Sequence, residues 1–290
     1  PKTPKPRDGG KIYCSVNAYN NNLRTPAMSF KICFAALTLS ASVAAGENMK
    51  DKYDLVLTYD YENLNTPIAE TAALLKQKLA DAGIDAASGK KITILAHSMG
   101  GLVSRHLIEQ LEGEAFVDHL VMAGTPNAGS PFGNLPGYLG LANNLLEMAM
   151  NFVPAILPVA GLLRKGLQKV DDVKVLETLA EMKPESDFLK ALNVLDKKPA
   201  GVKYSVLAGD VSKFEVGGKG FARFMERTTI AIGNLANKPT HHDIAVSVDG
   251  ILNEIIWKAR EQEVSKKTIG CHHLNYFITD VGQDALAEIL

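Results

Sequence analysis

The sequence predicts an α/β fold on a mainly parallel sheet, doubly wound by helices, and three observations carry that prediction. Short, nearly continuous apolar runs recur at Tyr53–Tyr59, Lys91–Ala96, Val117–Met122 and Tyr204–Ala208. Between the first three lie stretches long enough for a helix, so the strands pair in parallel; hairpins would need only short turns. The runs show little polar alternation, as expected of strands covered on both faces.

Taken in order, the first fifty residues stand apart from this pattern. Pro1–Asp8 is basic and proline-rich, and Asn17–Asn22 is polar and turn-prone, so a loose arm is expected. Met28–Gly46 combines Lys31, an apolar run and a small-residue end at Ser42-Val43-Ala44. It resembles a secretory signal, although 27 residues precede it. The run is short for a bilayer span, and no integral membrane span is expected. A cytoplasmic location is the expectation, with secretion the outcome if Met28–Gly46 acts as a signal. The chain opens on Pro1 and not Met, which reads as a fragment or a processed product.

From residue 51 the α/β pattern begins. Thr66-Pro67 opens a helix, because proline's missing N–H does no harm in a first turn. Leu74, Leu75 and Leu79 supply its apolar face, and Gly83 is placed to end it. A second helix is expected from Gly100 to about Leu111. Some eighty residues separate Met122 from Tyr204, more than one crossover helix needs, so a helical cap insertion is expected at about 131–200. It includes the apolar stretch Leu141–Val159. Further helices are expected over Val246–Arg260 and from about Asp280 to Leu290. The resulting division is an atypical segment 1–50, with its strands incomplete, and one domain over 51–290.

Composition excludes several classes of function. Thirty-one Lys and Arg against 32 Asp and Glu leave a net charge of −1, so no global positive field is available to hold nucleic acid. Three cysteines cannot build a disulfide framework, and no C-x-x-C pair is present. His241, His242, Asp243, Cys271, His272 and His273 form two clusters of potential metal ligands. Adjacent residues rarely aim at one ion, however, and H-E-x-x-H is missing. Neither a metal nor a cofactor is expected.

The most informative segment is Ile92-Thr93-Ile94-Leu95-Ala96-His97-Ser98-Met99-Gly100-Gly101. A serine follows a buried strand and precedes a helix, with small residues two places to either side. This is the nucleophile-elbow pattern G-x-S-x-G, with Ala96 in the first glycine position. The flanking residues His97-Ser98-Met99-Gly100-Gly101-Leu102-Val103 resemble the α/β-hydrolase superfamily, in particular its esterase and lipase group with an A-H-S-x-G-G elbow. Gly124-Thr125-Pro126-Asn127-Ala128-Gly129-Ser130-Pro131 and Tyr59-Asp60-Tyr61 extend the likeness over roughly 51–290.

The resemblance implies a serine nucleophile, Ser98, and the chain order Ser, Asp, His. In the C-terminal Cys271-His272-His273-Leu274-Asn275-Tyr276-Phe277 segment, alignment with the group's H-F-N-Y-F favours His273 over His272 as the base. His241-His242-Asp243-Ile244-Ala245-Val246 matches the group's acid pattern at Asp243, with Asp249 and then Asp210 as alternatives. The Met99 N–H is the expected oxyanion donor, at the positive end of a helix. The second donor normally follows an earlier strand in a His-Gly sequence, and no His-Gly occurs in this chain; an altered N-terminal segment, a misplaced start, or a strand filled by residues 32–44 with unusual sequence are the three explanations. The expected function is carboxylic ester hydrolysis through an acyl-serine, on a small-molecule ester or lipid. A hydrolase-like protein that binds lipid or a protein partner without efficient turnover is the alternative.

Overall fold

The computed structural model describes residues 15–20, 32–36, 53, 55–60, 66–131, 176–194, 199–214, 230, 234 and 241–290. Its strands are β1 (Ser15–Asn20), β2 (Ile32–Ala36), β3 (Leu55–Asp60), β4 (Ile92–His97), β5 (Val117–Ala123), β6 (Lys203–Gly209) and β7 (Val264–Ile269). They form one sheet in the order β1-β3-β2-β4-β5-β6-β7. Only β1 runs antiparallel to its neighbour, and every other pair is parallel.

This order places a switch point at the centre of the sheet. From β2 the chain proceeds to β3 on one side, whereas from β4 it proceeds to β5 on the other. At such a divergence open α/β sheets usually hold a ligand, in the crevice beyond the carboxyl ends of the strands, here β2 and β4. Ser98 directly follows β4 and therefore sits at that crevice.

Two buried layers flank the sheet. All six residues of β4 are buried, and strand alternation divides them between the faces. Ile92, Ile94 and Ala96 join the larger core with Leu75 and Leu79 of α1 (Ile68–Asp81) and Leu102, Val103 and Leu107 of α2 (Met99–Gln110). Leu95 joins the smaller core with Tyr276, Phe277, and Ala285 and Leu286 of α7 (Asp280–Ile289). At the end of α1, Gly83 (φ 72°) takes the left-handed conformation. Its N–H bonds Ala80 O and that of Ile84 bonds Leu79 O, each at 2.8 Å, closing a Schellman cap.

The structure departs from the sequence expectations in three places. Two strands precede residue 51, and β2, drawn from the apolar run of the signal-like segment, lies between β3 and β4. The helix expected over Val246–Arg260 is two, α5 (Val248–Leu252) and α6 (Glu254–Ala259). The break is Asn253, held at φ 42° while its side-chain amide donates to Asn127 O at 3.0 Å. Strand β7 went unanticipated because Lys266 and Lys267 interrupt its apolar character; as an edge strand it keeps them towards solvent, paired with Glu254 and Glu288.

Within the insertion, α3 (Leu176–Glu181) and α4 (Asp187–Leu192) are described, whereas Leu141–Val159 lies outside the described residues. Glu181 Oε2 accepts from the Ile68 N–H at 2.8 Å, and Thr178 Oγ1 donates to Thr66 O at 3.0 Å. The end of the insertion thus caps the N-terminus of α1, where free N–H groups and the helix dipole favour a carboxylate. Among the described residues no helix is long and apolar enough to cross a membrane.

Candidate active site

Ser98 occupies the turn between β4 and α2 with φ 52° and ψ −129°. A non-glycine residue there is strained, and it persists because both flanks are fixed. Its N–H bonds Ala123 O at 2.9 Å, while its carbonyl accepts from Gly101 at 3.0 Å. The small residues follow from crowding. A Cβ on Gly101 would lie 2.0 Å from Thr125 Oγ1. One on Gly124, itself at φ 62°, would lie 2.9 Å from Asp243 Oδ2 and 3.1 Å from His273 Nδ1.

Above the serine, a chain of hydrogen bonds joins the three residues singled out from the sequence. His273 Nε2 is 2.9 Å from Ser98 Oγ, and His273 Nδ1 is 2.7 Å from Asp243 Oδ2. A carboxylate can only accept, so the imidazole proton resides on Nδ1 and leaves Nε2 free to accept from the hydroxyl. Asp243 is fully buried while the His273 side chain keeps 12% exposure. The backbone adds a further tie, the His273 N–H to Asp243 O at 2.7 Å.

Burial of an ionised carboxylate requires donors on every side, and Asp243 has them. Its Oδ1 accepts from the N–H groups of Ala245 (3.0 Å) and Val246 (2.8 Å), and its Oδ2 accepts from Tyr276 OH at 2.8 Å. The turn that presents those N–H groups passes through Ile244 at φ 90°, a second strained residue beside the site. Tyr276 in turn accepts from the Gly209 N–H at 2.7 Å. Its phenol is pushed well above the ordinary tyrosine range, by burial first and then by the charge of Asp243. In the sequence Tyr276 appears only within the segment that aligns the base, and its bond to Asp243 emerges from the fold.

The alternative residues point elsewhere. His272 Nδ1 accepts from the Leu274 N–H at 3.2 Å and its ring meets Phe214 edge-on. Asp249 lies exposed in the first turn of α5. Asp210, directly after β6, accepts from Ser212 Oγ and N–H and pairs with His241 at 3.0 Å. Burial raises its pKa, but those hydrogen bonds and the imidazole outweigh it and hold the carboxyl below the usual range. Met99 is the first residue of α2, so its N–H is one of the amides a helix leaves without an internal partner. Residues 37–52, following β2, lie outside the described residues. Among the described residues no group of three His, Cys, Asp or Glu is arranged to hold a metal ion.

Sheet order, elbow and crevice together define an α/β-hydrolase fold, and solved structures with that architecture match nearly the whole chain. The mature lipase BlEst2 of Bacillus licheniformis aligns at a TM-score of 0.59 and 16% identity, over 96% of this chain and 97% of that one. A carboxylesterase structure of the thaumarchaeon Nitrososphaera gargenis aligns at 0.54 and 12%, over 96% and 94%. A hydrolase of Pseudomonas aeruginosa PA01 aligns at 0.54 and 16%, over 95% and 93%. Among curated proteins none matches the sequence. The chain belongs to the family described as "Domain of unknown function (DUF7379)", whose model matches residues 29–290.

Proposed function

We propose that the protein is a serine hydrolase that cleaves carboxylic esters through an acyl-Ser98 intermediate. The observation that carries this reading is the hydrogen-bond chain Ser98–His273–Asp243 on a strained elbow at the switch point. Ser98 Oγ attacks the ester carbonyl carbon as His273 Nε2 takes the hydroxyl proton, which a serine cannot shed unaided at neutral pH. The carbonyl oxygen becomes an oxyanion facing the Met99 N–H. Collapse of the tetrahedral adduct breaks the carbon–oxygen bond, and His273 returns its proton to the departing alcohol. Water then attacks the acyl carbon, again with His273 as base, releasing the acid and restoring Ser98. Asp243 fixes the tautomer and stabilises the imidazolium formed in each half-reaction.

On this reading residues 131–200 form the cap, and its leucine- and methionine-rich stretch Leu141–Val159 favours an apolar acyl chain or lipid. The deciding experiment is labelling by a fluorophosphonate probe, comparing the native chain with Ser98→Ala and His273→Ala. Labelling lost in both variants, with ester turnover falling by about 10⁴-fold or more, is expected. A folded native protein that takes no label at Ser98 would overturn the reading in favour of a lipid- or partner-binding protein. So would ester turnover that survives Ser98→Ala.

A further inference from the structure

His97, the residue before the nucleophile, takes no part in the proton transfers above, yet it is tied directly to the base. It ends β4, and strand alternation puts its ring with Thr93 and Leu95 on the α7 side of the sheet, beneath the turn that carries His273. His97 Nε2 lies 2.7 Å from His273 O. A carbonyl only accepts, so the proton is on Nε2 and His97 is the donor. The two rings are 4.8 Å apart between centroids, and Phe277 closes edge-on against His97 at 5.6 Å. Only 7% of His97 is exposed.

We infer that His97 is a positioning residue, a neutral strut that holds the backbone of His273 over Ser98; this rests on the reading of Ser98–His273–Asp243 as the reacting groups. Among the described residues His273 makes four polar contacts: its N–H to Asp243 O, Nδ1 to Asp243 Oδ2, Nε2 to Ser98 Oγ, and its carbonyl to His97. Three of them answer to Asp243 or to the reacting hydroxyl. The fourth alone ties the base to the strand that ends in the nucleophile, with a single peptide link between His97 and Ser98. Register between hydroxyl and imidazole is thereby set by β4 and survives movement of the Asp243 turn. An uncharged strut spares the imidazolium that His273 becomes a like charge at its side. Burial first and the neighbouring His273 ring second bring the His97 pKa down to about 3, opposed by the hydrogen bond to His273 O and then by Asp243. Tyr276, at 5.9 Å between rings, adds no charge because its own ionisation is suppressed.

The test replaces His97 by Gln, whose side-chain amide can reach the same carbonyl, by Leu, which cannot donate, and by the shorter Asn. Acylation is read as fluorophosphonate labelling rate and as kcat and KM on a p-nitrophenyl ester, normalised to folded protein by urea melts. His97→Leu is expected to lower kcat by about 10²-fold, the cost of roughly 1 Å of misplacement, at nearly constant KM. His97→Gln should restore most of that loss with an unaltered pH profile. If His97→Leu does not fold, His97→Asn takes its place, being polar but too short to reach. A folded His97→Leu or His97→Asn acylating at the native rate would overturn the inference, as would Gln falling as far as Leu. Should the native protein itself turn over no ester, the proton resonance of His273 Nδ1–H still decides. A resonance shifted in Leu or Asn and native-like in Gln supports the strut; one unchanged in all variants removes it.

Discussion

Among the described residues two carboxylates stand out as fully buried, Asp243, bonded to the His273 imidazole beside Ser98, and Glu109, ion-paired near the far end of α2, and they differ in what surrounds them. Glu109 sits between two permanent cations. Arg105 Nε lies 2.8 Å from Oε1 and an Arg260 terminal nitrogen 2.8 Å from Oε2, with both guanidiniums buried. Every surrounding group is fixed: Arg105 donates to Asn127 Oδ1 and lies over the Trp257 ring at 4.7 Å, and Arg260 donates to the carbonyls of Leu192 and Val194. This cluster ties α2 to α4, α6 and the loop after β5. Asp243, in contrast, is held by neutral donors: two backbone amides, the Tyr276 phenol and an imidazole that keeps 12% exposure. Permanent charges make a joint; under the proposed function a titratable partner makes a relay. Ser98 stands at the start of α2 and the joint near its end, about 16 Å along.

Parallel carboxylate-to-amide changes separate the two. Asp243→Asn keeps the shape but offers an N–H where His273 Nδ1 needs an acceptor, trapping the wrong tautomer. Ester kcat/KM should fall by about 10⁴-fold with little change in the urea midpoint. Glu109→Gln should do the reverse, costing about 3–5 kcal/mol because two buried guanidiniums lose their counter-charge. Labelling rate per folded molecule should stay near native. A Glu109→Gln protein of native stability, or an Asp243→Asn protein of native activity, would erase the distinction drawn here.

Acid sharpens the contrast. His97 and His119 are both buried and neutral; burial is the main cause in each, and the His119 pKa falls to about 4 with Lys203 assisting. His119 Nε2 bonds Ser205 Oγ at 2.9 Å, in the sheet and far from the crevice. The unfolded chain binds protons at both sites below about pH 6.5 while the folded chain does not, so stability falls as pH drops from there. Together the two sites contribute a slope of up to about 2.7 kcal/mol per pH unit down to about pH 4. Denaturation at pH 7, 6 and 5 should reveal it, and His119→Gln should halve it without touching acylation. A flat profile in the native protein would show that neither histidine is held neutral by the fold.

What could be read in advance follows from how local each cause is. β4, the elbow and α2 were legible because a strained serine between an apolar strand and a helix requires small neighbours close in sequence. His273 and Asp243 were reachable by chain order and motif, although the four donors around Asp243 come from two segments some thirty residues apart. β2 was obscured because Ile32–Ala36 shares its composition with the core of a signal peptide, and only pairing with β3 and β4 distinguishes the two. The break at Asn253 depends on a carbonyl 126 residues away. The Glu109 joint was equally hidden. Arg105 and Glu109 stand four apart, the spacing of an ordinary exposed helix pair, and only Arg260 and Trp257 reveal their burial.

The smallest expected effect concerns the backbone strain beside Asp243. Ile244, at φ 90°, is β-branched and held where L side chains are disfavoured, because the N–H groups of Ala245 and Val246 must converge on Asp243 Oδ1. At most positions glycine is less stable than alanine by up to about 1 kcal/mol, through the entropy of the unfolded chain. Here the order should invert. Ile244→Gly removes the left-handed penalty, about 1–2 kcal/mol, whereas Ile244→Ala retains it. Urea melts of the two variants measure the difference directly, with glycine expected to be the more stable by about 1 kcal/mol. If alanine is instead the more stable, the turn relaxes once the branched side chain is gone. Asp243 would then be held by its hydrogen bonds alone, with no contribution from a backbone fixed in advance.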